Sequence, residues 1–417
     1  MNFIPILTNT VWFLSLIFMI YVVYNCIISV FSFKRIKKTI EYQPKHRFAA
    51  IIAARNEEQV IGNLVKSLKS QNYPGDLIDI IVVPNNCTDH TKEVALDNGA
   101  IIIEPPFAIN SKGKALTYFF DQIFEKNDVY DAFCVFDADN LVHPDFFAKI
   151  NNALCSGTKI AQGYRDSKNP SDTCTSSCYS IYYLTINRFI NHARSALGLS
   201  CMINGSGFMI SADILRENGG WHTVTMAEDI ELTVQCALKG HKIGWVPEAI
   251  IYDEQPLTLE QSWKQRLRWS SGILQTLGVY FKDLAKYAVK AKNFFSFDLI
   301  VFLCAPIMQV LCFITFIITS ILGLMYVNYA LFPHKDLYYA MFFSFNYSYF
   351  LTSGMALLCV LLEKKNVMKM IKGILTFWIF ILVWIPVNVL CLFYKPKVWE
   401  QIKHTRNVTI SEISNTL

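Results

Sequence analysis

Four long apolar stretches mark this chain, and between the first and the second lies a segment of a different kind. The stretches cover residues 11–32, 299–327, 351–362 with the aromatic residues before them, and 373–394. Most are long enough to cross a hydrocarbon layer of roughly 30 Å as helices. From residue 34 to about residue 293, short β-rich runs alternate with helical ones, which predicts a parallel sheet with crossover helices. Strands are expected at 48–53, 78–83, 101–104 and 132–136. Helices are expected at 57–71, 91–98 and 114–124, the first with Val60, Leu64 and Leu68 on one face. Residues 226–238 predict a helix that turns Ile230, Val234 and Leu238 toward a core. Residues 259–278 predict another, with Trp263, Leu267 and Leu274 as its apolar stripe. Lys282, Lys286 and Lys290 then recur four apart, as on a helix lying in the headgroup layer.

An apolar fraction of 53% over 417 residues is too high for a wholly soluble protein and puts part of the chain in lipid. The first ten residues lack the basic start and cleavage site of a signal peptide, so the first stretch reads as a retained anchor. The run Lys34-Arg35-Ile36-Lys37-Lys38, with Lys45 and Arg47 beyond, favours a cytoplasmic middle segment. A formal charge of +5 concentrated beside the apolar stretches fits anionic membrane lipids, and no nucleic-acid-binding module appears. The twelve cysteines are scattered, and Cys174 and Cys178 have no second pair at zinc-finger spacing. Four simple crossings would leave Lys395-Pro396-Lys397 and Lys403-His404-Thr405-Arg406 outside, against the charge rule. The last stretch, broken at Trp384-Ile385-Pro386, is therefore expected to turn back as a re-entrant hairpin.

Three clusters carry chemistry. Asp137 and Asp139 flank Ala138 at a predicted strand end, where two carboxylates can reach one hard divalent cation; solvated surface carboxylates are the alternative. Ala227-Glu228-Asp229 opens a helix whose dipole favours ionised carboxylates, so Asp229 is a candidate general base, or else both acids only cap the helix. In Gln265-Arg266-Leu267-Arg268-Trp269, Gln265, Arg268 and Trp269 share a helix face. Arg268 can pair with a diphosphate and Trp269 can stack on a sugar ring or anchor the helix at the membrane surface. Asn204-Gly205-Ser206-Gly207-Phe208 reads either as a tight turn or as a loop lining the substrate.

With Asn85-Asn86-Cys87-Thr88-Asp89 upstream, these clusters resemble the family 2 membrane glycosyltransferases akin to the hyaluronan, chitin, cellulose and poly-N-acetylglucosamine synthases, over about residues 48–272. The resemblance implies an inverting enzyme with an α/β GT-A catalytic domain, a UDP-sugar donor and Mg2+ or Mn2+. It implies nucleotide-sugar contacts at Ala54, Asn56, Glu57, Asn85, Lys112, Asp137 and Ala138, and metal contacts at Asp137 and Asp139. Asp229 matches the catalytic aspartate, with Glu228, Gln265, Arg268 and Trp269 beside the acceptor and diphosphate. Asn85 departs from the family's usual aspartate; its amide oxygen can still accept from uracil N3–H.

The division expected is an anchor (1–33), a cytoplasmic catalytic domain (34–257), amphipathic interface helices (258–294), a membrane region of two to three spans or a hairpin (295–395) and a tail (396–417). The leading expectation is a processive synthase extending a polysaccharide, which leaves room for an accessory membrane subunit. The alternative is a single transfer to a lipid acceptor. A non-catalytic subunit has only Asn85 in its favour.

Overall fold

The computed structural model describes residues 3–36, 39–109, 111–125, 130–290, 293–325, 337–394 and 404–414. Lys37, Lys38, Lys395, Pro396, Lys397 and Lys403, on which part of the charge reading rests, lie outside the described residues. The chain begins with α1 (Phe3–Val30) and continues through β1 (Phe48–Ala54), α2 (Ile61–Lys69), β2 (Ile78–Pro84), α3 (Thr91–Asp97), β3 (Ile101–Ile102), α4 (Lys112–Glu125), β4 (Ala132–Asp137), β5 (Leu141–Val142) and α5 (Phe146–Cys155). There follow β6 (Ile160–Ser167), α6 (Cys174–Thr185), a π turn (Ile186–His192), α7 (Ala193–Ala196), β7 (Phe208–Ser211), α8 (Ala212–Asn218), α9 (Glu228–Leu238) and β8 (Ile243–Asp253). The helices α10 (Leu259–Lys290), α11 (Phe294–Leu303), α12 (Ala305–Met325), α13 (Leu337–Leu362), α14 (Val367–Leu382), α15 (Trp384–Phe393) and α16 (Ile410–Ser414) complete it.

The strands form one sheet in the order β3-β2-β1-β4-β7-β6-β8-β5. Its first half is parallel, as the alternating pattern predicts: Phe48 of β1 lies opposite both Ile78 and Ala132. The second half is not, because β7 runs antiparallel to both β4 and β6. The chain passes from β6 through α6, the π turn and α7 before β7 returns antiparallel between β4 and β6. β1 is buried on both faces, as its unbroken apolar run requires. Phe48, Ala50 and Ile52 pack with α2 and α5, while Ala49 and Ile51 pack with α4 and the α8–α9 side. The result is a three-layer α/β unit with strand ends converging at one crevice.

Helices α1, α12 and α13 and the α14–α15 pair are long and apolar enough to cross a membrane. The predicted second span divides at Cys304 into short α11 and the longer α12. The basic stretch expected on a separate surface helix simply continues α10 to Lys290. A buried triad ties α1 to the α/β unit: Tyr24 Oη donates to Asp298 Oδ1 at 2.7 Å, and Arg194 Nε donates to Asp298 Oδ2 at 2.7 Å.

The α14–α15 segment packs along the α/β unit instead of standing clear of it. Near its start Lys365 pairs with Asp166 and Tyr164 Oη donates to Glu363, while beyond its end the 404–414 stretch returns to the strand ends. It breaks at Val383, where Pro386 removes the hydrogen bond to the Leu382 carbonyl. Both ends of this segment thus meet the same domain.

Candidate active site

One cavity of about 560 Å3 gathers the strand ends, the start of α9 and the face of α10. Ala54 and Glu57 reach it from the turn after β1, Asn85 from the end of β2 and Lys112 from the first turn of α4. Asp137, Ala138 and Asp139 follow β4, Glu228 and Asp229 open α9, and Gln265, Arg268 and Trp269 project from α10. Of the residues expected from sequence, Asn56 alone does not line it. Asn56 sits at φ +53° and its Oδ1 accepts from Thr88 N at 2.7 Å, so it shapes the turn that carries Glu57.

The metal-motif carboxylates have a third partner that sequence reading passed over. Asp253, at the end of β8, brings its carboxylate within 4.8 Å of those of Asp137 and Asp139. Arg165 donates to Asp253 Oδ2 through Nε at 3.0 Å and through Nη2, and its Nη1 donates to the Asn204 carbonyl at 2.6 Å. Burial, together with Asp139 and Asp137, pushes the Asp253 carboxyl up to about 7 against the pull of Arg165. Lys112 pairs with Asp137, donates to the Gly205 carbonyl at 2.6 Å and stands 3.9 Å from Glu228. Burial lowers its ammonium, but Asp137 and Glu228 outweigh that and hold it charged. Three crowded oxygen donors of this kind suit a hard divalent cation, and Asp139 is the one that neither Lys112 nor Arg165 engages.

Glu228 and Asp229 are both shifted upward by burial, Glu228 to about 7. Asp229 Oδ1 accepts from Ile230 N at 2.8 Å, as expected at a helix start. Two glycines bring other elements against this pair. A Cβ on Gly205, at φ +82°, would lie 3.2 Å from Asp229 Oδ2. On Gly272 it would lie 2.6 Å from Ala227 Cβ and 2.8 Å from Ala227 N, so only glycine lets α10 approach the acidic triplet this closely.

Within the α10 motif the side chains divide as the helical spacing predicts. Gln265, Arg268 and Trp269 face the cavity, whereas Arg266 is buried away from it. Arg266 donates to the Phe380 carbonyl at 2.6 Å and lies 3.7 Å over the Phe380 ring. Trp269 belongs to an aromatic wall, 6.0 Å from Tyr182 and 6.3 Å from Trp384 between ring centres. Asn85 Oδ1, Asn204 Nδ2 and Gln265 Oε1 are buried atoms of lining residues without a hydrogen-bond partner.

The C-terminal stretch reaches the same cavity, which sequence reading did not foresee. His404 Nδ1 lies 3.0 Å from Glu57 Oε1 and Nε2 lies 4.0 Å from Asp139 Oδ2. Thr405 N and Arg406 N donate to the Glu254 carboxylate, and Arg406 pairs with Asp172. Burial lowers the His404 imidazole, yet Asp139, Glu57 and Glu254 together raise it to about 10.

Comparison with known proteins agrees with this architecture. Residues 44–272 match the family described as "Glycosyltransferase like family 2". The probable glycosyltransferase YdaM of Bacillus subtilis (strain 168) is 28% identical over 323 residues, 72% of this chain and 76% of that one. The poly-beta-1,6-N-acetyl-D-glucosamine synthase of Staphylococcus epidermidis (strain RP62A) is 24% identical over 70% of each chain. The beta-monoglucosyldiacylglycerol synthase of Synechocystis sp. (strain PCC 6803) is 26% identical over 62% of this chain, and the match spans 55% of that synthase. Among solved structures, mannosyltransferase PcManGT from Pyrobaculum calidifontis, in complex with GDP-Man and Mn2+, covers 94% of this chain and 100% of its own at 16% identity and a TM-score of 0.62. The chain belongs to glycosyltransferase family 2 and is a glycosyltransferase, its catalytic unit a GT-A fold with a curled mixed sheet and its apolar helices suited to a membrane.

Proposed function

We propose that this enzyme transfers a hexose or N-acetylhexosamine from a UDP-sugar to an acceptor hydroxyl at the membrane surface, with inversion and with a divalent cation. The observation that carries this reading is the single cavity in which strand-end carboxylates, Lys112 and Arg268, and the Glu228–Asp229 pair converge. Asn85 Oδ1 accepts from uracil N3–H, which satisfies one of the unpartnered oxygens. Lys112 and Arg268 neutralise the diphosphate. Asp137, Asp139 and Asp253 would hold Mg2+ or Mn2+, which stabilises charge on the departing diphosphate when bound. Asp229 takes the acceptor proton, and burial raises its carboxyl, which makes it a stronger base. Gln265 Oε1 positions the acceptor hydroxyl.

Lys34 and Arg35 follow α1 directly, which favours the catalytic unit on the cytoplasmic side of a cell membrane. The α14–α15 segment is one helix kinked at Val383 and not the reversing hairpin expected from sequence; contacts to that unit before its start and after its end favour a cytoplasmic carboxyl terminus. The relatives bracket two acceptor classes, a growing polysaccharide and an acylglycerol.

The test is a donor panel with purified protein and Mg2+ or Mn2+, scoring nucleotide release and sugar transfer. UDP-sugars should exceed GDP-sugars at least about tenfold, the scale of one hydrogen bond at the base. A preference for GDP-sugars, or turnover undiminished by a chelator, overturns the reading.

A further inference from the structure

The cavity does not end at Asp229. Its lining also carries apolar side chains: Ile186 and Ile190 from the π turn, Met202 from the loop before β7, Ile230 from α9, Ile273 from α10 and Phe302 from α11. Phe302 lies three residues before Ala305, where the candidate membrane span of α12 begins. The cavity that holds the carboxylates thus also holds an apolar corridor of six side chains that offer no hydrogen bond, one of them beside a candidate span.

We propose that the acceptor is a membrane lipid alcohol, with an uncharged hydroxyl headgroup and aliphatic chains, that reaches Asp229 headgroup first along this corridor; the proposal rests on the UDP-sugar reading of the same site. A polysaccharide hydroxyl bound against these apolar side chains would lose water without replacement. Lipid chains lose nothing there and bury apolar surface. Among the described residues no side chain of α12 or α13 lines the cavity, so those two helices do not extend it into a polymer conduit. The π turn is what exposes the corridor. Asn187 and Asn191 face the sheet side, where Asn187 Nδ2 donates to the Arg165 carbonyl at 2.8 Å and Asn191 Oδ1 accepts from Met202 N at 2.9 Å. Their neighbours Ile186 and Ile190 are left to the cavity. Wide turns of this kind are rare and recur at functional sites.

The acidic pair chooses among lipids. A lipid phosphate is ionised near neutral pH, needs no base and would be repelled by Glu228 and Asp229, whereas a neutral alcohol needs one. In the step proposed, the lipid O–H proton passes to Asp229 while its oxygen forms the bond to the sugar anomeric carbon. The bond from that carbon to the β-phosphate oxygen breaks and its electron pair leaves with UDP. The products are an inverted glycolipid and UDP.

The experiment uses full-length protein in phosphatidylcholine nanodiscs with Mn2+, radiolabelled UDP-glucose or UDP-N-acetylglucosamine, and dioleoylglycerol, ceramide, undecaprenyl phosphate or no added acceptor. Label in the organic phase that requires dioleoylglycerol or ceramide is expected. Ile190→Gln should then raise the KM for that lipid about tenfold with kcat little changed, and Ile190→Val should restore it. A water-soluble polymer formed without a lipid alcohol, label on undecaprenyl phosphate alone, or an Ile190→Gln effect confined to kcat overturns the proposal. UDP binding by calorimetry with no lipid labelled also overturns it while leaving the donor reading standing. Absence of UDP binding takes both away.

Discussion

The donor half of the cavity stands on strand ends and the acceptor half on helix faces, and the two hold their side chains by different means. On the donor side, Asn85, Asp137 and Asp253 each end a strand or follow it directly, and backbone bonds between neighbouring turns, such as Asn85 N to the Ala54 carbonyl at 2.8 Å, fix where they point. Position there is set by sheet register, which is stiff. On the acceptor side, Ile190, Trp269, Phe302 and Trp384 come from four helical elements, and their relative placement depends on close packing such as Gly272 against Ala227. Errors on the first side should appear in chemistry and donor binding. Errors on the second should appear in acceptor binding and helix docking.

The largest effects belong to the groups that touch the reacting atoms. Asp229→Asn should lower turnover by roughly 10^2–10^4-fold, the usual share of general base catalysis, while UDP affinity stays near that of the parent. Asp139→Asn should abolish metal-stimulated turnover. Full transfer by either variant removes the basis for calling this side the chemical one. Next comes Arg165→Ala, which strands Asp253 without its cation. Leaving a buried charge unpaired costs about 3–5 kcal/mol, so the thermal midpoint should drop steeply. Because burial already pushes Asp253 toward 7, the loss should shrink as pH falls through that value and the carboxyl takes a proton.

Gly272→Ala sharpens the contrast from the other half. The added methyl drives α10 from Ala227 at about 1–3 kcal/mol and moves Arg268 and Trp269 away from the acidic pair. Acceptor KM should rise while UDP affinity measured by calorimetry holds; an equal loss of both would mean the halves are not separable. The pH profile comes next. Burial raises both Asp229, which must be ionised for base catalysis, and the adjacent Glu228, the latter to about 7. The rate should therefore fall with acidification at a pH above that of an ordinary aspartate, by up to tenfold per unit, and Glu228→Gln should move the inflection down by relieving repulsion on Asp229. An inflection that does not move would uncouple the two acids.

The same contrast explains what the sequence could and could not say. Strand-end chemistry is local: a hydrophobic run followed by Asp137-Ala138-Asp139 is visible in a dozen residues, and the structure gathers both carboxylates with Asp253 at the strand ends. Asp253 obeys the same strand-end rule and was legible in principle, at the end of the run 243–253. Arg165 was not, since nothing in Tyr164-Arg165-Asp166 announces a partner 88 residues away. The aliphatic corridor was illegible for a different reason. Isoleucines at 186, 190, 230 and 273 look like ordinary core, and only tertiary packing decides which of them face a cavity. Antiparallel β7 escaped notice because four residues carry too little periodicity to show strand direction.

The smallest effect tests a contact that crosses no lipid at all. His404 sits between Glu57 and Asp139 as a cation, and its imidazole is raised from the usual 6.5 to about 10. A group raised on docking contributes stability that is complete below its free value and is lost as pH climbs through the docked one. Docking of residues 404–414 should therefore be firm near pH 6.5 and weaken toward pH 10. Tryptic cleavage after Arg406, normalised to His404→Gln, should accelerate across that window. Added Mn2+ should accelerate it at constant pH, since a divalent cation at Asp139 competes for the charge that holds His404. Cleavage that ignores pH and metal alike would show the stretch held by its Glu254 and Asp172 contacts alone. Cleavage that responds to both would make the tail a reporter of the donor half that leaves the corridor untouched.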